Sequence, residues 1–454
     1  MIIKFIIWFI ILAVAGLLFY KSSGTMNPCK INILQYAFYI IILQTVIGAI
    51  LTSFGFIGHY TYRLLENPEH STQMGIAFSA LLIILLPATI LCLEKILKIS
   101  SKDSYNAYLK EPTKCDNDTL YFGIISFASI ICLALLVYFI SQIGYIPLIK
   151  LFFHEEGFNF ATERTRLSTM TIINGYVKNL FIIYAIPILS VITFSFALVT
   201  KKGKWMALGA ILFVAAIIVK TYDFSKAPVV FFFAMLFFVY IYHSGGIKPK
   251  IFGGFVVFGA ITLVLMYNLT GYSGTFFDIY NGILGRTFFT QFGTLCMHFE
   301  LFSTYLMFLG GRSLYPTMLS ILGMDPESHI RSARIVMEVY GSDKVYSGTA
   351  GVMNTVFMGE AYANWGILGC ILSIIWVGIV LGIAFILFMK LKKTPITVAF
   401  FAIITQQLVG TIQGGFADFT YSSTFVMTFI GLFVLYYLPN ITEYTMKKIS
   451  DKKK

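Results

Sequence analysis

Seven arginines are the chemically most telling side chains of this sequence: Arg63, Arg164, Arg166, Arg286, Arg312, Arg331 and Arg334. A guanidinium is planar and grips phosphate or carboxylate through two parallel hydrogen bonds, which the point charge of lysine does not do. A transfer site also needs a group that takes a proton. Glu360 is the first candidate, because it stands beside Tyr362 and Asn364 at the start of an apolar run, where an ionised group is costly. His298 and Glu300 come next, two residues apart on one amphipathic stretch. Asp223 and Lys226 share a short turn between two apolar runs, from which Lys226 can snorkel towards a phosphate. Each residue has a plainer reading. Any one arginine serves as readily as an ion-pair partner of Glu163, Asp325, Glu327 or Glu338. Glu360 can be a helix N-terminal charge, His298 a packing residue and the Asp223 segment a simple turn. Asp418, in Gly414-Gly415-Phe416-Ala417-Asp418, carries only a small expectation of a role. Acids and histidines do not gather at metal-ligand spacing, since His298-x-Glu300 is too little, so no metal or other cofactor is expected.

These side chains need a frame, and composition says which kind. The chain has 454 residues, 58% hydrophobic, 17% aromatic and only 12% charged, with a mean hydropathy of +0.82. A soluble domain carries about 25% charged residues, so disorder and an ordinary water-soluble fold are both excluded. Uncharged runs of about 17–25 residues read as membrane-spanning helices. Eleven occur, at about 2–20, 33–57, 73–93, 119–141, 178–199, 205–221, 227–242, 251–268, 366–389, 396–413 and 421–438. The first is expected as an uncleaved span, because it stays apolar through Tyr20. The expected fold is all-α, a polytopic membrane helix bundle forming a single membrane domain over 1–454, with no soluble module and no duplicated halves.

Charge orients the bundle. The short loops with Lys201, Lys202 and Lys204, with Lys248 and Lys250, and with Lys390, Lys392 and Lys393 alternate in side with acidic ones, as do the lysines of 94–118 and the tail. Lysine-rich loops are cytoplasmic by the positive-inside rule, which puts the C-terminus in the cytoplasm. One side then carries +13 and the other −1, so topology accounts for the whole net charge of +12 and no nucleic-acid partner is implied. All 20 cations on the cytoplasmic side are lysine, while every arginine is external. Orientation works as well with lysine, so a separate demand selects arginine outside. The external side lacks a cysteine pair for a disulfide, and no C-x-x-C occurs.

Two external segments are long, at about 142–177 and about 269–365. Loops beyond about 15 residues are usually functional or disordered, and the aromatic and aliphatic content of these two favours order. The first contains His154-Glu155-Glu156-Gly157 and Glu163-Arg164-Thr165-Arg166. In the second, 287–309 is apolar but carries His298 and Glu300, and a span there would invert all downstream topology. It reads as a helix lying at the interface or as a re-entrant segment. Arg164 is followed after ten residues by Gly175, and Arg312 after ten by Gly323, one such pair in each large segment. External tyrosines, Tyr272, Tyr280, Tyr315, Tyr340, Tyr346 and Tyr362, suit sugar stacking but more readily form an interfacial belt.

In these segments the chain resembles the O-antigen and oligosaccharide repeat-unit polymerases (the Wzy type). That family has two large periplasmic loops with an Arg-x10-Gly motif in each. Gly359-Glu360-Ala361-Tyr362-Ala363-Asn364-Trp365-Gly366-Ile367-Leu368-Gly369 is similar to its G-E-x-Y-x-N-[FW]-G-x-x-G signature, and Asp223-Phe224-Ser225-Lys226-Ala227-Pro228 to its S-K-x-P segment. The resemblance begins near residue 119 and leaves the first hundred residues uncovered.

The resemblance implies a GT-C-like membrane glycosyltransferase that polymerises undecaprenyl-diphosphate-linked oligosaccharide units for O-antigen or capsular polysaccharide. Such an enzyme works at the external face of the bacterial cytoplasmic (inner) membrane. A sugar hydroxyl attacks an anomeric carbon and polyprenyl diphosphate leaves, so fixed cations lower the barrier. Arg164, Arg166, Lys226, Arg286, Arg312, Arg331 and Arg334 would bind the diphosphate without a metal. Glu360 would be the base, with His298 and Glu300 behind it, and Tyr362, Asn364 and Asp223 would contact substrate. Implied partners are the lipid-linked donor and acceptor, membrane lipid and a chain-length-determining co-polymerase. Two alternatives remain open: an O-antigen ligase, which shares donor and topology, and a lipid-linked oligosaccharide flippase or transporter, for which spans this free of charge are less suited.

Overall fold

A computed structural model describes residues 1–154, 157–170, 173–269, 277–302, 304–348 and 350–452. Glu155, Glu156 and Tyr272 lie outside the described residues. The fold is all-α, with no β-sheet among the described residues. Ten helices there are long and apolar enough to cross a membrane: Ile2–Lys30, Ile33–Ser53, Pro68–Leu97, Asp118–Ile143, Gly175–Thr200, Gly203–Thr221, Ala227–Ser244, Pro249–Leu269, Met358–Lys390 and Ala417–Pro439. Pro395–Thr411 is also apolar but only 17 residues long. The eleven expected spans all appear as helices, and the chain is a multi-pass membrane helix bundle.

The chain divides into two interleaved compact units. The first comprises Met1–Asn106, Ser273–Met389 and Gln407–Ser422. Its helix Ile2–Ser23 packs on Pro68–Leu97, and Asn67 caps the latter by accepting the His70 N–H at 3.3 Å. The helix Thr290–Leu301 is buried continuously from Phe292 to Leu301. Its rings interlock with those of its neighbours, with Phe292 against Tyr62 at 6.5 Å and Phe299 against Phe78 at 5.4 Å. A helix lying at the interface would keep one face in lipid or water. The burial of 292–301 does not fit the interface helix expected for 287–309; the re-entrant alternative is retained, and 304–308 are exposed.

Met358–Lys390 breaks at Trp365 (φ −139°, ψ 18°) and Gly366 (φ +61°, ψ −146°). Only glycine adopts the second conformation without strain, and a Cβ there would lie 2.9 Å from the Phe308 ring. The break strips Ala363 and Asn364 of their helical donors. The loop supplies replacements, with Leu309 N–H on the Ala363 carbonyl at 2.8 Å and Gly310 N–H on that of Asn364 at 3.1 Å.

The second unit comprises Ala107–Tyr272, Lys390–Gln406 and Ser423–Lys454. Gly175–Thr200 begins with a π-helical stretch, Lys178–Ala185, and packs against Gly203–Thr221, Phe196 stacking on Trp205 at 4.2 Å. Asp118 gathers Lys202 at 2.8 Å and Lys204 at 2.7 Å, together with the Trp205 indole N–H. Ala227–Ser244 and Pro249–Leu269 meet through stacked Phe237 and Phe255 rings, 3.8 Å apart.

Candidate active site

Glu360 sits on the short helical stretch before the kink, and the kink sets its surroundings. It is 5% exposed. Its Oε2 accepts the Ala417 N–H at 2.8 Å, and the Ser313 hydroxyl adds a second contact. Gly415, at φ +148°, leaves room for that carboxylate, since a Cβ there would collide with Oε2. Phe357 N–H donates to the Ile412 carbonyl at 2.9 Å, binding the segment before Glu360 to the one that ends in this turn.

The same turn holds an arginine. Arg331 donates through Nη2 to the Gly414 carbonyl at 2.9 Å and lies 3.8 Å from Asp418 Oδ2. Asp418 accepts the Tyr315 hydroxyl on its other oxygen. Burial, then the bond to Asp418, pushes that phenol well above its usual range, so it stays protonated and donating. The Arg331 and Asp418 side chains remain 35% and 21% exposed. The cluster therefore runs from a buried carboxylate, past a guanidinium that acts on it electrostatically, to the surface.

Asn364 ties the loop of Arg312 to this core. Its Oδ1 accepts Gly311 N–H at 2.9 Å, and its Nδ2 donates to Ser313 Oγ at 2.6 Å and to the Glu360 carbonyl at 2.9 Å. The Arg312 carbonyl accepts Ile330 N–H at 3.0 Å, which puts Arg312 in the segment beside Arg331. Asn364 is thus a scaffold of the site, and its occupied amide leaves the substrate contact expected of it without a free polar atom. Tyr362 is buried between Phe299 at 4.7 Å and Phe308 at 5.6 Å, in the aromatic core.

His298 packs beside this cluster, its ring 3.2 Å from where a Cβ on Gly359 would lie and its Nε2 3.5 Å from Ser332 Oγ, next to Arg331, whereas Glu300 turns away from it. Two helical residues apart means roughly 200° around the axis, so they face opposite ways. His298 is fully buried, donating from Nδ1 to the Thr294 carbonyl at 2.8 Å, and burial lowers its pKa to about 4. Glu300 accepts Glu66 N–H at 3.0 Å, Asn67 N–H at 2.7 Å, Ser71 Oγ at 3.2 Å and the Tyr340 hydroxyl at 2.8 Å. It is the anionic cap of the helix Pro68–Leu97. Glu300 is thus engaged with the start of another helix, and His298 is held against the segment that carries Glu360.

Of the other arginines in this unit, Arg334 pairs with Glu338 at 2.8 Å, the plainer reading of the sequence. Arg286 is exposed, near His59 and Tyr60. Gly323 closes the short helix Pro316–Ile321 at φ +71°, whereas Gly175 opens the helical stretch Gly175–Val177. The two Arg-x10-Gly spacings are therefore different local structures. The structure adds Asp418, Tyr315 and Ser313 to the cluster. The one trace of them in the sequence is the Gly414-Gly415 pair, which marks a turn crowded by carboxylates.

In the second unit, Arg166 forms a forked pair with Glu163, its Nε at 2.9 and 3.0 Å from the two carboxylate oxygens, and Tyr145 donates to the same carboxylate. That pairing holds the Glu163 carboxyl below its usual range. Arg164 is exposed, on the helix Phe160–Thr169. Asp223 accepts Ser225 N–H at 3.1 Å and Ser225 Oγ at 2.8 Å, the self-bonding of a turn. Lys226 lies over the Tyr267 ring at 4.1 Å. The rings of Phe158 and Phe160 pack on Phe224 at 6.0 and 5.1 Å, so the segment of Arg164 and the Asp223 turn adjoin. Among the described residues no three His, Cys, Asp or Glu side chains gather as a metal site. No protein-family model, curated protein sequence or solved structure matches this chain.

Proposed function

We propose that the chain is a bacterial membrane glycosyltransferase of the oligosaccharide repeat-unit polymerase type. It would act at the external face of the cytoplasmic membrane, with its lysine-rich loops and C-terminus in the cytoplasm. Glu360 takes the proton of the acceptor hydroxyl. The freed oxygen bonds to the anomeric carbon of the donor unit, the bond from that carbon to the diphosphate oxygen breaks, and polyprenyl diphosphate leaves with the electron pair. Arg331, with Arg312 on the neighbouring segment, offsets the leaving group's charge. The observation that carries this reading is a buried carboxylate beside a part-exposed guanidinium, on a turn and a kink that both require glycine. Neither residue is spent on the other, since Arg331 is held by a backbone carbonyl and Glu360 by a backbone N–H.

Glu360→Gln tests it. The amide keeps the size and loses the basicity, so chain growth from a lipid-linked repeat unit should fall about 100-fold or more while donor binding persists. Undiminished growth would remove Glu360 from the reaction. Lysine at Arg331, Arg312 or Arg164 keeps charge but loses the fork, and at least one of the three should lose most activity.

A further inference from the structure

Between the buried helix Thr290–Leu301 and Arg312, the chain turns outward while staying apolar. Tyr305, Leu306, Met307 and Phe308 are all exposed, Met307 to 88%, and no residue from Leu301 to Gly311 carries a charge. The kink in Met358–Lys390 fixes where this stretch lies. Leu309 and Gly310 donate their N–H groups to the Ala363 and Asn364 carbonyls, and the Phe308 ring packs on Tyr362 at 5.6 Å and against Gly366. Directly past the kink, Ile367 and Leu368 are 58% and 62% exposed on a helix long enough to cross a membrane. Leu372 and Trp376 are exposed as well, and their spacing of four puts them on the face of Leu368. The exposed apolar loop therefore adjoins the first exposed residues of a span.

Contiguous exposed apolar residues rimmed by polar ones mark contact with a membrane or another protein, and the surface next to this loop is one that acyl chains cover. Its rim is polar at both ends. The Tyr305 hydroxyl donates to Glu66 at 2.8 Å on one side, and exposed Arg312 stands on the other, as aromatic and cationic groups do at a membrane boundary. Backbone groups near acyl chains must also find partners within the protein. The N–H groups of Tyr305 and Leu306 both donate to the Leu301 carbonyl, at 3.1 and 2.9 Å, and those of Leu309 and Gly310 are taken up by the kink.

We infer that residues 305–308 dip into the bilayer at the boundary between acyl chains and headgroups. They form a lipid-contacting surface continuous with the exposed face of the helix after the kink. This placement rests on the apolar helix bundle and not on the transferase reading.

Spin labelling of the full-length protein in liposomes of phosphatidylethanolamine and phosphatidylglycerol tests it, with exposed Cys92 and part-buried Cys115 replaced by alanine. A nitroxide on Met307→Cys is compared with one on Ile130→Cys, exposed within the span Asp118–Ile143, and one on Lys344→Cys, exposed on the helix Ser342–Tyr346. Oxygen concentrates among acyl chains while a nickel chelate stays in water, so the ratio of their collision rates with the label reads depth. At Met307 that ratio should lie several-fold above its value at Lys344 and towards its value at Ile130. A ratio equal to that at Lys344 would leave the loop in water and overturn the proposal. Few collisions with either reagent would show the loop covered by protein, such as a second copy of this chain, and would overturn the lipid assignment.

Discussion

Glu300 and Glu360 are both buried carboxylates, and their partners separate their roles. Two backbone N–H groups, a serine and a tyrosine converge on Glu300, which leaves it no lone pair for an incoming proton. Glu300→Gln sets an amide NH2 against one of those donors. It should cost about 2 kcal/mol of stability, visible as a lower melting temperature, while activity per folded molecule stays within about twofold. Loss of activity at unchanged stability would return Glu300 to the catalytic set. His298 has a different signature. Its pKa is about 4 in the fold against 6.5 free, so the unfolded chain binds the extra proton. Its contribution is present above about pH 6.5 and is lost as pH falls towards 4, about 3 kcal/mol in all. His298→Asn keeps a donor near the Nδ1 position, and its stability should fall less steeply over that window in thermal unfolding at graded pH. An unchanged slope would mean that the imidazole is already charged. Neither assignment was legible in the sequence. Two-residue spacing suggested a pair, but a helix turns such a pair apart, and the backbone donors at Glu66 and Asn67 leave no mark in residue type.

The kink and the buried helix Thr290–Leu301 determine what the elements contribute. Uncharged runs gave away the spans, because a bilayer tolerates little else. The break at Trp365 and Gly366 was hidden in a glycine-bearing apolar run, and only the pairing of its freed carbonyls with Leu309 and Gly310 gives it meaning. Gly366→Ala forces a side chain into a conformation costing about 1–3 kcal/mol and drives its Cβ into Phe308. It should straighten or unseat the stretch carrying Glu360, lowering activity at least tenfold in protein that still inserts into the membrane. Wild-type activity in Gly366→Ala would show that the kink does not position the base. The helix Thr290–Leu301 was legible as apolar but not as buried, since its two ionisable residues mimic an amphipathic face and their burial depends on contacts far away in sequence.

At the scale of the whole molecule, the multi-pass bundle is fixed by apolar helix length, whereas its orientation rests on lysine distribution. Cysteines placed at exposed Ser320 and exposed Lys250 check it. A membrane-impermeant maleimide should label Ser320→Cys in intact spheroplasts and Lys250→Cys only after permeabilisation. The reverse pattern would put the arginine-bearing segments in the cytoplasm and remove them from an external substrate. The division into two interleaved units had no sequence marker, because each unit is assembled from segments far apart along the chain. The most direct measurement is reconstitution. The purified full-length protein in liposomes receives an undecaprenyl-diphosphate-linked repeat unit as its sole substrate, with no lipid A core, no ion gradient and excess chelator. Ladders of two, three and more repeat units, absent with Glu360→Gln, are the expected result. Intact substrate recovered with wild-type protein, or ladders undiminished in the Gln variant, would contradict a polymerase built on Glu360 and Arg331.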